Sequence, residues 1–165
     1  MEKRKLGKSG LEIAPIVFGG NVFGWTVDEK ASHTILDGFL AGGFNCVDTA
    51  DVYSRWKPGN SGGESEVIIG TWFKARGNRS KVILASKCGN DMGGDKKGLK
   101  KAYIVRAVED SLKRLQTDYI DLYQSHRDDP STPVDETMEA HAALVKAGKV
   151  RVVGASNYSA ERLKA

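Results

Sequence analysis

Short apolar segments alternate five times with longer stretches of helical period along this chain. Ile16-Val17-Phe18, Phe44-Asn45-Cys46-Val47, Val82-Ile83-Leu84-Ala85, Ile120-Asp121-Leu122-Tyr123 and Val150 to Val153 read as strands. Strands this short and this apolar are covered on both faces, which points to a parallel sheet in an α/β protein. The intervening helices follow from period. Ala31, Ile35, Leu36, Phe39 and Leu40 share one side of Glu29 to Ala41, and Gly42-Gly43 ends that helix. Glu64 to Lys74 carries Val67, Ile68, Ile69, Trp72 and Phe73. Ile104, Val108, Leu112 and Leu115 form a stripe along a third helix. Thr132-Pro133 predicts a cap followed by a first-turn proline, opening a fourth helix that runs to Ala147 before Gly148. Ser159 is the expected cap of a last helix reaching Ala165. Ahead of all this, Lys3–Ile13 predicts a small hairpin turning at Gly7-Lys8-Ser9-Gly10. No linker or low-complexity tract divides the chain, so residues 1–165 are expected to form one domain.

Two architectures accommodate the alternation: an open doubly wound sheet, or part of a (β/α)8 barrel. No Gly-x-Gly-x-x-Gly follows the first strand, so the dinucleotide fingerprint of the open fold is missing. The strands themselves do not choose further.

Composition excludes several functions. The 25 basic and 21 acidic residues are interspersed and leave a net charge of +4, a mixed solvated surface with no basic face for nucleic acid. The densest basic run, Lys96, Lys97, Lys100 and Lys101, lies in a glycine-rich stretch and reads as a wet loop. No apolar run reaches the ~20 residues of a membrane span, and the basic N-terminus lacks the apolar core of a signal peptide. Cys46 and Cys88 form no Cys-x-x-Cys pair, which excludes a zinc knuckle; as free thiols in or near a core they suit a reducing cytoplasm.

Polar residues cluster just past the strands, where parallel-sheet folds build their sites. The second strand ends in Asp48, with Thr49, Ala50, Asp51 and Tyr53 after it; the third ends in Ser86-Lys87, the fourth in Gln124-Ser125-His126, the fifth in Gly154-Ala155-Ser156-Asn157. Each taken singly has an ordinary structural explanation: a turn cap, a half-buried aromatic, a solvated lysine, a core histidine. Their recurrence at matching ends of successive strands does not. His33 and His141 fall inside helical segments and read as structural.

The stretch Asn45 to Tyr53 closely resembles the aldo-keto reductase signature of strand, Asp, Thr, Ala and Tyr. Leu6 through Gly20 resembles that family's opening hairpin and first strand, Ile120 to His126 its fourth strand, and Gly154 to Asn157 its fifth. The resemblance implies a (β/α)8 barrel of which about five of the eight units are present. It implies an oxidoreductase that reduces aldehyde and ketone carbonyls to alcohols with NADPH. The implied catalytic residues are Asp48, Tyr53, Lys87 and His126, with Tyr53 the general acid. Lys87 is expected to lower the Tyr53 pKa, Asp48 to hold Lys87, and His126 to orient the carbonyl oxygen. Ser156 and Asn157 are expected to hold the nicotinamide carboxamide, Gly19 and Gly20 to approach the cofactor, and Trp25 to wall the carbonyl substrate. A second function on the same barrel is regulatory or binding, as in potassium-channel β subunits, which keep a similar set of residues. Five units leave an arc with an exposed apolar lining and unpaired edges. Three expectations follow: a portion of a longer protein, a piece completed by a second fragment or copy, or an independent open sheet.

Overall fold

The computed structural model describes residues 2–164. A two-stranded antiparallel hairpin, β1 (Arg4–Lys5) with β2 (Glu12–Ile13), comes first. Then follow β3 (Val17–Gly19), α1 (Glu29–Ala41), β4 (Cys46–Asp48), α2 (Glu64–Arg76), β5 (Ile83–Cys88), α3 (Lys101–Leu115), β6 (Ile120–Ser125), α4 (Val134–Lys146), β7 (Val150–Ala155) and α5 (Ala160–Lys164). The strands β3 to β7 form one parallel sheet in chain order. Sequential order with no reversal is the wrap of a barrel, not of a doubly wound sheet, whose strand order turns back on itself.

Register sorts the side chains into two faces, since parallel partners point the same way and faces alternate along a strand. Val17 pairs with Cys46 and Cys46 with Ile83; Gly19 pairs with Asp48, and Asp48 with Ala85. Ala85 pairs with Leu122 and Lys87 with Gln124; Leu122 and Gln124 pair in turn with Val152 and Gly154. These residues share the inner face. The other face presents Val47, Leu84, Cys88 and Tyr123 to the helices, and the hydrophobic core lies there, with Leu36, Ile69, Trp72, Ile104 and Leu115. Cys46 and Cys88 are both buried free thiols. Among the described residues no helix is long and apolar enough to cross a membrane.

Helix ends follow local chemistry. Asp28 caps α1, its carboxylate accepting from the Ala31 N–H at 2.8 Å. The helix α2 runs past the expected Lys74 to Arg76, where Gly77 stops it with φ +60°. In α4 the expected cap is wrong: Pro133 occupies the cap position, and the Thr132 hydroxyl donates to Asp129 Oδ2 at 2.6 Å instead. The aspartate three residues upstream competes for the hydroxyl, and a proline ring in the extended region starts the helix without a side-chain cap. Ser159 Oγ accepts from the Arg162 N–H at 3.3 Å at the start of α5; Ala165, to which that helix was expected to run, lies outside the described residues.

Where α2 crosses α3 the backbones nearly touch. A β-carbon on Gly70 would lie 2.2 Å from the Arg114 carbonyl oxygen, so only glycine fits. One turn away Arg114 donates to the fully buried Glu66 at 2.7 Å, and Ser86 Oγ donates to the other Glu66 oxygen at 2.6 Å.

Candidate active site

Asp48 ends β4 and Lys87 lies near the end of β5, both on the inner face. The ammonium of Lys87 uses all three of its donors: on Asp48 Oδ2 at 2.6 Å, on the Thr49 carbonyl at 2.9 Å and on the Tyr53 hydroxyl oxygen at 2.9 Å. The Tyr53 hydroxyl in turn donates to Asp48 Oδ2 at 3.2 Å. Strand pairing continues past β4: the Thr49 N–H donates to the Ala85 carbonyl and the Asp51 N–H to the Lys87 carbonyl. The loop is thereby laid over β5, which brings a residue five positions after Asp48 back onto the lysine. Ser54 then takes φ +69°, a left-handed conformation that costs a non-glycine residue free energy. Its hydroxyl on the Phe23 carbonyl at 2.6 Å, and the Asn60 amide on its own carbonyl at 2.9 Å, hold it there.

His126 follows β6. Its backbone N–H donates to the Cys88 carbonyl at 2.8 Å, and its carbonyl accepts from the Asn157 amide at 2.8 Å. The imidazole meets the Tyr53 ring edge to face, 5.8 Å between centroids. On the other side of Tyr53 stands Trp56 at 6.2 Å, and Trp25 packs against Trp56 at 5.7 Å. Phenol, lysine, carboxylate and imidazole therefore share one mouth of the sheet, with two half-exposed indoles along its rim.

Burial raises the Tyr53 pKa above its usual 10, and this outweighs the lowering by the Lys87 hydrogen bond and charge. That reverses the lowering expected from the lysine alone, because a sequence gives the neighbour but not the depth. The His126 pKa falls to about 4, chiefly through burial and then through the charges of Lys87 and Arg127. The ring is neutral at neutral pH. Behind the lysine, Asp51 is buried and its pKa is pushed up to about 7, mainly by burial and by Glu66.

The remaining sequence candidates divide. Ser156 and Asn157 stand past β7, Asn157 at φ +58° with its amide on Ser156 Oγ at 3.0 Å. Gly19 is exposed, and a β-carbon there would meet only Asn21 at 3.6 Å, so its flank is open. Gly20 is buried; a β-carbon there would strike Ser65 Oγ at 2.9 Å, so protein atoms occupy the space beside it. His33 bonds Thr71 and the Ile68 carbonyl, and buried His141 bonds Ser125 Oγ, both away from the mouth. The basic run is exposed loop except for Lys101, which begins α3. Sequence reading passed over Asn90. Its amide lies 3.0 Å from His126 Nδ1; the available signal was its place in the glycine-rich loop three residues after Lys87. A separate apolar cavity of about 380 Å³ lies on the outer side of β7, lined by Leu99, Thr137, Met138, Val153 and Tyr158, and none of the clustered groups reaches it.

An arc of sequential parallel strands carrying polar groups at its C-terminal mouth defines a (β/α)8-barrel protein. The chain belongs to the Aldo/keto reductase family, whose sequence pattern matches residues 15–165. The aldo-keto reductase YhdN of Bacillus subtilis is 41% identical over 170 residues, covering 99% of this chain and 49% of YhdN. YrpG of the same organism, described as an uncharacterised oxidoreductase, is 43% identical over 166 residues, covering 96% of this chain and 50% of YrpG. The holo form of aldo-keto reductase AKR11C1 from Bacillus halodurans superposes with a TM-score of 0.85 at 40% identity, over 99% of this chain and 53% of that one. The chain spans about half the length of these relatives.

Proposed function

We propose that the protein from which this chain comes is an NADPH-dependent oxidoreductase that reduces aldehyde or ketone carbonyls to alcohols. One observation carries the reading: the Tyr53 hydroxyl oxygen accepts from the Lys87 ammonium at 2.9 Å, with His126 beside it. The proposed acid is Tyr53. Its raised pKa keeps the phenol protonated at neutral pH, ready to give its proton to the carbonyl oxygen. Lys87 then stabilises the phenolate left behind, and Asp48 offsets the lysine charge. Neutral His126 holds the carbonyl oxygen near the phenol, and Trp25 and Trp56 wall the substrate's apolar part.

The nicotinamide cofactor, when bound, supplies the hydride. The donor set at the end of β7 suits its carboxamide. With the Asn157 amide nitrogen already committed to Ser156 and to the His126 carbonyl, the Asn157 Oδ1 is left to accept and the Ser156 hydroxyl to donate. Gly19, at the end of β3 on the opposite edge of the sheet, leaves its flank open for backbone access to the cofactor; Gly20 supports that turn by packing. A reducing cytoplasm is the proposed compartment, consistent with two buried free thiols. A second chain or further segment along the sheet edges is the proposed complement to this arc.

The test is Tyr53→Phe in a turnover-competent form of the protein, assayed with a panel of aldehydes. Turnover should fall by at least about a hundredfold while NADPH binding stays within a few-fold. Unchanged turnover in that variant refutes the acid assignment, and no turnover of any carbonyl by the unsubstituted protein refutes the reductase reading.

A further inference from the structure

The Asn90 side-chain nitrogen lies 3.0 Å from His126 Nδ1, and an amide nitrogen can only donate. The ring nitrogen facing it must therefore present its lone pair, and in a neutral imidazole the proton is then on Nε2. We infer that Asn90 is a positioning residue: it fixes His126 in the Nε2–H tautomer, so that the imidazole presents a donor, not an acceptor, to the carbonyl oxygen of a substrate.

The surroundings make that choice consequential. Among the described residues His126 Nε2 has no hydrogen-bond partner and is not among the buried unpaired atoms, so it is open to a ligand. His141 differs: Ser125 takes its Nε2, and its Nδ1 is buried without a partner. The groups facing the His126 ring are Lys87 from β5, Arg127 from the same loop, and Tyr53 with Asp48 behind it from β4 and its loop. Burial first, and then the two cations, act against a second proton on the ring and keep it neutral. A neutral ring offers one donor only, and its partner on Nδ1 decides where that donor points. Backbone bonds on both sides of His126, to Cys88 and from Asn157, hold the residue in place without touching the ring. The tautomer is thus left to Asn90. The inference rests on the proposed reduction for its purpose, but the tautomer can be read independently of activity.

The experiment is nitrogen-15 NMR of the folded protein labelled at histidine, with the ring-nitrogen shifts assigning the tautomer of His126 near pH 7.5. The expected result is protonated Nε2 and unprotonated Nδ1 in the unsubstituted protein. In Asn90→Asp the carboxylate can only accept, so the proton should move to Nδ1. In Asn90→Leu neither tautomer is selected and the signals should report a mixture. Kinetics give the second readout. In Asn90→Asp, kcat should fall by about ten- to a hundredfold at high pH. It should recover as pH drops through a His126 pKa raised by the new carboxylate, since only the imidazolium then carries an Nε2 proton. The unsubstituted protein should show no such recovery. Protonated Nδ1 in the unsubstituted protein, or a tautomer unmoved by both substitutions, overturns the inference. If the tautomer behaves as expected but no carbonyl is reduced, the proposed function fails and the role of Asn90 in fixing the ring stands.

Discussion

His126 is held in a half-buried place with two cations near it, and this has a consequence for stability. Its pKa is about 4 in the folded state against 6.5 ordinarily, so between those values the unfolded chain binds the proton and the folded chain does not. Folding stability must therefore drop as pH falls from 6.5 toward 4 and level off below it. The ring's share is roughly 1–2 kcal/mol once solvent screening at a half-buried site is allowed for. Urea titrations at neutral pH and near pH 4.5, compared with His126→Gln, should show the gap narrowing in the variant; parallel curves refute it. At this scale the sequence was informative about residue type and silent about depth. Polar groups recurring just past apolar strands made Asp48, Tyr53, Lys87 and His126 legible as candidates, alongside Ser156 and Asn157, and the family resemblance singled the four out. The direction of the Tyr53 pKa was not, since burial depends on the loop that Ser54 and Asn60 fold over it. Asn90 was invisible for a related reason: asparagine in a glycine-rich loop is the usual turn residue, and only space reveals the imidazole beside it.

The tightest element contact is the crossing of α2 on α3. Glu66 is fully buried and depends on Arg114 and Ser86 for its charge and lone pairs. Arg114→Met keeps most of the side-chain volume and removes the cation. It should cost about 3–5 kcal/mol in chemical denaturation, because an unpaired buried carboxylate is left behind. Arg114→Met combined with Glu66→Gln should recover much of that loss. A single variant as stable as the parent refutes that dependence of Glu66 on Arg114. Element identity was readable from apolar runs, helical period and turn or cap residues together, and every predicted strand and helix has its counterpart among the described residues. Ends were less so. Thr132 followed by proline has the form of a cap, yet Asp129 takes its hydroxyl, a competition between neighbours that a motif does not register.

Seen whole, the molecule has a well-covered outer face and a poorly covered inner one. Val17 at the β3 edge is 45% exposed, and Val152 in β7 is half-buried. Among the described residues β3 and β7 each pair on one side only. Open ladders beside apolar side chains invite association. The 165-residue chain should therefore sediment as a concentration-dependent mixture and bind a hydrophobic dye, and Val152→Lys should weaken both. A strictly monomeric, dye-silent chain would show that the inner face closes in another way. The alternation made a parallel α/β sheet legible and left an open sheet or part of a barrel; the barrel came from the family resemblance carried by Asn45 to Tyr53. What would lie beside β7 is not written in these residues, because a parallel strand accepts any neighbour of suitable pattern.

The groups at the mouth follow the chain order of four strands: Asp48 and Tyr53 from β4 and its loop, then Lys87 from β5, His126 after β6 and Asn157 after β7. A ribosome therefore releases the phenol and its lysine partner well before the imidazole. A nascent or proteolysed piece that stops short of β6 carries a neutralised ion pair beside a tyrosine and lacks the imidazole on which the proposed reduction depends.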